Sequence, residues 1–153
     1  MDLILWRHAE ALDAEDGVED FDRALTTRGE RQAARMATWL NQHLPATARI
    51  LVSPARRAQQ TAAALERKFK TVAALAPGGT ASGLLAAARW PDAKEPVLVV
   101  GHQPTLGLVA AHLLAGVAQP WSVKKGAVWW LRQRDRPGDE QTVVVTVRGP
   151  ENV

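Results

Sequence analysis

Short apolar runs and segments of helical periodicity alternate along the chain as far as about residue 115. Leu3–Trp6 is an unbroken apolar run ended by Arg7, the pattern of a strand buried on both faces. Residues 9–25 have little periodicity and carry Asp13, Glu15, Asp16, Glu19, Asp20 and Asp22. They predict a long acidic loop, and long loops in compact domains are often functional. Thr27 and Glu30 have the spacing of a capping box. The helix they open places Ala33, Met36, Ala37, Leu40 and Leu44 on one face, and Pro45 closes it. Arg49–Val52 predicts a second strand, after which Ser53 as cap and Pro54 in the first turn start another helix. The apolar face of that helix is Ala58, Thr61, Ala62, Leu65 and Phe69.

Val72–Leu75 predicts a short third strand, broken by Pro77-Gly78-Gly79. Thr80 or Ser82 caps a helix running to about Arg89. Pro96–Val100 is the clearest strand, ended by Gly101, and Pro104 opens a helix with Leu106, Val109, Ala110, Leu113 and Leu114 on one face. The tail reads differently. Residues 126–132 and 141–148 predict two strands joined by the turn sequence Arg136-Pro137-Gly138-Asp139, a hairpin at the sheet edge. The adjacent Trp129 and Trp130 then point to opposite faces. The whole pattern predicts an α/β fold, a three-layer α/β/α arrangement around a mainly parallel sheet, in one domain over residues 1–153.

Composition narrows the chemistry. The absence of cysteine excludes disulfides, thiolate metal sites and a cysteine nucleophile. No apolar run approaches the length of a membrane span, and no signal-peptide pattern precedes Arg7, so a cytoplasmic protein without membrane association is expected. The net charge of +3 suits anionic substrates. No basic stripe with interleaved aromatics is present, so nucleic acid is not the expected partner.

In a doubly wound sheet, ligands bind at the carboxyl ends of the strands. Arg7 and His8 follow the first strand, Arg57 lies one turn into the helix after the second, and His102 follows the clearest strand. Arg23 or Arg28 from the acidic loop adds further positive charge. Guanidinium groups bind phosphoryl oxygens bidentately, and a neutral imidazole can take the phosphoryl group covalently. Of the remaining imidazoles, His43 fits a dipole contact at a helix end, and His112 is expected to be structural, on the face of Leu108 and Val109. Asp20-Phe21-Asp22 has the form of an aspartyl-phosphate motif but falls in a loop rather than after a buried strand, so it is set aside.

Four segments in order resemble the motifs of the histidine phosphatase superfamily. Arg7-His8-Ala9 resembles its R-H-[GA] signature, and Arg23 to Gly29 its R-x-L-T-x-x-G segment. Ser53 to Thr61 resembles S-P-x-x-R-A-x-Q-T, and Gly101-His102-Gln103-Pro104 resembles G-H-x-P. The short length and the Arg7-His8-Ala9-Glu10-Ala11 form resemble most the SixA-type phosphohistidine phosphatase branch. The resemblance implies that His8 becomes phosphorylated, that Arg7 and Arg57 bind phosphate, and that His102 hydrogen-bonds the phosphoryl oxygens. Arg23 matches a position that often reaches the phosphate in this branch, whereas Arg56 points elsewhere. The resemblance implies no metal and no organic cofactor, and a phosphohistidine protein as substrate. Larger members carry a carboxylate after the third strand as general acid, but residues 76–90 contain neither Asp nor Glu. Glu10, Asp13 or no acid at all then serves the leaving group. A small-molecule phosphomonoesterase and a non-catalytic phosphate-binding module are the alternative readings.

Overall fold

The computed structural model describes residues 1–15, 17–136 and 138–153. Six strands form one sheet: β1 (Asp2–Arg7), β2 (Arg49–Val52), β3 (Lys70–Thr71), β4 (Val97–Gly101), β5 (Val128–Arg136) and β6 (Asp139–Arg148), in the order β3-β2-β4-β1-β5-β6. The pairs β1–β4, β2–β4 and β2–β3 are parallel, and β1–β5 and β5–β6 are antiparallel. The expected hairpin therefore forms at the edge, with strands longer than the sequence pattern marks. Pro137 of its turn and Asp16 of the acidic loop lie outside the described residues.

Alternation along the central strands builds two cores. Ile4, Trp6, Ile50, Val52, Leu98 and Val100 pack on one face under the helices α1 (Thr27–His43) and α2 (Arg56–Ala63). Leu3, Leu5, Leu51, Val97 and Val99 pack on the other, under α3 (Ala81–Ala88) and α4 (Thr105–Ala115). Burial on both faces explains why β1 and β4 read as unbroken apolar runs rather than alternating ones. Trp130 joins the first core and Trp129 packs against the second, so the tryptophan pair straddles the sheet as expected.

Several local expectations shift. The cap of α1 is Thr26, whose hydroxyl accepts from the Gly29 N–H at 2.9 Å, and Thr27 is the first helical residue. The capping-box spacing at Thr27 and Glu30 is thus one residue out of register. Position 29 has no side chain to complete a box, because a Cβ there would collide with the Glu10 carbonyl. β3 covers Lys70–Thr71, while Ala73–Leu75 winds into a 3-10 turn that buries Leu75. α2 ends at Ala63, so Leu65 and Phe69 reach the core from beyond the helix. His112 is exposed rather than packed. His43 sits in the last turn of α1 with its Nδ1 2.8 Å from the Trp39 carbonyl, and its ring stacks on Trp39.

Candidate active site

The carboxyl ends of β1, β4 and β2 bring the candidate residues together. Arg7 is the last residue of β1, and the His8 N–H continues the ladder to the Gly101 carbonyl at 3.1 Å. That bond sets His8 beside His102, with ring centroids 5.2 Å apart. Arg57 enters from the first turn of α2. His8, His102 and Arg57 are only 6%, 5% and 4% exposed. Arg56, its neighbour, faces solvent.

Hydrogen bonding fixes the state of His8. Its Nδ1 lies 2.8 Å from the Ala9 carbonyl oxygen. A carbonyl can only accept, so Nδ1 carries the ring proton and Nε2 keeps its lone pair. Burial drives the His8 pKa down to about 4 against the pull of the Ala9 bond, with Arg57, Arg7 and Arg23 pushing the same way as burial. His8 is thus a neutral, oriented imidazole at pH 7. Ala9 is in turn held by Thr61 of α2, whose hydroxyl accepts the Ala9 N–H at 3.1 Å and donates to the Arg57 carbonyl at 2.7 Å.

His102 is held by a residue whose role the sequence pattern misassigns. Ser53 does not cap α2, whose N-cap is Ala55; its Oγ lies 2.7 Å from His102 Nε2. The same Oγ accepts the Ala55 N–H at 3.1 Å, which leaves the hydroxyl proton free for Nε2. In that arrangement the other ring nitrogen, Nδ1, is the donor. Burial lowers the His102 pKa to about 3, helped by His8, Arg57 and Arg7 and opposed by Asp20, so this ring too is neutral.

Arginines complete the cluster. Arg7 donates from Nη1 to the Val123 carbonyl at 2.8 Å. Its pKa is lowered by burial and then by Arg57, as expected of a buried cation with a second cation near it. Arg23 lies in the acidic loop and donates from Nη1 to the Leu12 carbonyl and from Nε to Asp20, both at 3.0 Å. Arg28 lies apart, 3.6 Å from Glu151. Among the described residues, Arg7 Nε, Arg57 Nε and His102 Nδ1 are buried side-chain nitrogens without a partner, joined only by Arg49 Nη1. Buried donors left unsatisfied are costly and concentrate where a ligand will use them. Of the two carboxylates considered for proton donation, Glu10 accepts from the Thr26 hydroxyl at 3.0 Å, and Asp13 is exposed on the loop. Among the described residues no cluster of His, Asp and Glu has the grouping of a metal site.

Asp20, which the sequence pattern marks only as part of the acidic loop and of a motif set aside, also belongs to the cluster. The loop segment Asp20–Asp22 forms a 3-10 turn against α2, and Arg57 Nη1 donates to the Asp20 carbonyl at 2.8 Å. The Asp20 carboxylate then bridges Arg57 Nη2 at 3.3 Å and Arg23 Nε at 3.0 Å. Its position three residues before Arg23 was the available signal, but an acidic run in a loop reads as solvated surface.

Comparison with known proteins places this geometry among relatives. The model of the histidine phosphatase superfamily (branch 1) matches residues 3–78. An uncharacterised protein of Picosynechococcus is 39% identical over 142 residues, covering 86% of this chain and 85% of its own. Phosphohistidine phosphatase SixA of Escherichia coli is 33% identical over 129 residues, covering 78% of each chain. Among solved structures, the protein histidine phosphatase SixA complexed with tungstate aligns over 99% of both chains, with 28% identity and a TM-score of 0.80.

Proposed function

Because the chain belongs to the histidine phosphatase superfamily and is a phosphatase of SixA type, we propose that it hydrolyses the P–N bond of phosphohistidine on a protein substrate, through a phosphoryl group carried on His8. The observation that carries the reading is the neutral His8, its proton pinned at Nδ1 by Ala9 and its Nε2 free, inside a cage of arginines. The Nε2 lone pair attacks phosphorus as the bond to the substrate imidazole breaks, and the bonding pair leaves on the substrate nitrogen. Water then attacks phosphorus, inorganic phosphate departs, and His8 regains its lone pair. Arg7 and Arg57 hold the equatorial oxygens, Arg23 reaches the phosphate from the loop, and His102 donates to an oxygen as charge develops. The reaction asks for no metal and no cofactor.

A protein substrate is supported by the openness of this edge. Between β3 and β4 the chain forms only the 3-10 turn at Ala73–Leu75 and the short helix α3, with no inserted subdomain to enclose a small molecule. Among the described residues no helix is long and apolar enough to cross a membrane. The deciding experiment compares turnover of a phosphohistidine protein, a phosphoserine peptide and small sugar phosphates. The first should be hydrolysed fastest, and a sugar phosphate turned over faster than the phosphohistidine protein would overturn the assignment.

The arginine roles make a separate prediction. Arg57→Ala should cost roughly 2–4 kcal/mol of transition-state stabilisation, or about 30- to 1000-fold in kcat/KM. Arg56→Ala removes the same formal charge from the adjacent, solvent-facing position and should leave the rate within a few fold of the parent. Equal losses at both positions would rule out a buried phosphate contact specific to Arg57.

A further inference from the structure

We propose that Asp20 is the positioning residue that sets the two loop-side guanidiniums, Arg57 and Arg23, for the phosphoryl group. The inference rests on the phosphoryl reading of the site and concerns a residue that reading does not need. A carboxylate beside an anion site is unfavourable on charge alone, so its presence there calls for a compensating role. The contacts supply one. A single residue takes Arg57 Nη1 on its backbone carbonyl, Arg57 Nη2 on one carboxylate oxygen and Arg23 Nε on the other. These arginines come from different elements, α2 and the acidic loop, and among the described residues Asp20 is the one residue that contacts both guanidiniums. Their charges also oppose each other, since Arg23 lowers the Arg57 pKa while Asp20 raises it. The bridging carboxylate relieves that opposition and spans both donors, leaving Arg57 Nε unpartnered.

The asymmetry between the partners fits this role. The Arg57 side chain is 5% exposed, whereas that of Asp20 is 59% exposed. Asp20 thus reaches inward from the surface turn to hold a buried guanidinium, and the acidic loop acquires a function beyond solvation. Asp22, in the same turn, is exposed and makes no side-chain hydrogen bond or ion pair among the described residues.

Charge and positioning predict opposite signs, which makes the proposal testable. If Asp20 acts only as a repelling charge, its removal tightens anion binding. If it positions the arginines, its removal loosens binding. The measurements are calorimetric titration with inorganic phosphate and kcat and KM on an aryl phosphate, for the parent, Asp20→Ala, Asp20→Asn and Asp22→Ala. Asp20→Ala should weaken phosphate binding about tenfold or more and lower kcat with it. Asp20→Asn keeps one side-chain acceptor and the backbone contact, so it should fall between Asp20→Ala and the parent. It also serves as the test should the alanine variant fail to fold. Asp22→Ala removes the same charge from the same turn and should match the parent. Phosphate bound by Asp20→Ala or Asp20→Asn as tightly as by the parent, or more tightly, would overturn the positioning role. An unchanged kcat in a folded variant would do the same. A parent protein that binds no phosphate would instead overturn the phosphoryl reading, and this inference with it.

Discussion

Replacing His8 with alanine should abolish turnover, by a factor on the order of 10⁴ or more, while the protein stays folded and still binds inorganic phosphate. The size of the effect follows from the absence of a substitute. Among the described residues His102 is the only other imidazole in the cluster, and its Nε2 is engaged by Ser53 while its Nδ1 is buried. The arginines and the backbone positions around the site do not depend on the His8 ring. Arg7 is held by Val123, Ala9 by Thr61 and Arg57 by Asp20, so the anion pocket should outlive the nucleophile. The matching positive result is a rapid-quench trap of the parent enzyme with labelled substrate. Acid-labile, base-stable phosphate should map to His8. Label on a carboxylate or on Ser53 would end the covalent-histidine mechanism, as would measurable turnover by His8→Ala.

The residues gathered at the strand ends were legible in the sequence, and the residues that hold them were not. Arg7 ends β1, and His8, His102 and Arg57 each follow a strand end within a few positions; a parallel sheet forces such ends onto one edge. The central strands were equally plain, because burial on both faces writes a continuous apolar run. The scaffold around the site is built from long-range bonds that leave no periodicity. Ser53 reads as a helix cap by every local rule, yet its hydroxyl meets His102, 49 residues away. Gln60 accepts the Leu25 N–H at 2.7 Å and so ties α2 to the loop, and Thr61 ties α2 to Ala9. These contacts give physical content to the Ser53–Thr61 segment: one hydroxyl meets His102, one guanidinium joins the strand-end cluster, one amide ties the loop and one hydroxyl holds Ala9 beside His8. The displaced cap at Thr26 has a similar origin. The Glu10 carbonyl accepts the Thr26 N–H, and the Glu10 carboxylate accepts its hydroxyl, so the start of α1 is set by the chain leaving His8 rather than by its own sequence.

The dependence of rate on the leaving group should be steep, and P–N bonds should be cleaved in strong preference to unactivated P–O bonds. Expelling an alkoxide benefits greatly from proton donation in the transition state, whereas imidazole is a far better leaving group near neutral pH. The site offers little to donate that proton. Residues 76–90, where a general acid would be expected, contain no carboxylate. Glu10 is tied to Thr26 at the cap of α1. Asp20 stands beside Arg57, but it is held as an anion: burial pushes its pKa up, and Arg57 and Arg23 together outweigh that and hold it below the ordinary carboxylate value. A group that stays ionised well below neutrality is a poor donor at pH 7. Asp13, exposed on the loop, is the remaining acid of those considered, and reaching the leaving group would require the loop to close. General acid catalysis contributes about 100- to 10,000-fold where it operates, so its absence should appear as a preference of that order for phosphohistidine over alkyl phosphates. Aryl phosphates supply the graded test, since their phenols span several units of acidity on one scaffold. Log kcat/KM plotted against phenol pKa should fall steeply, and Asp13→Asn should leave the slope unchanged. A flat plot, with alkyl phosphates hydrolysed as fast as phosphohistidine, would reveal a working general acid and remove the chemical basis for the P–N preference.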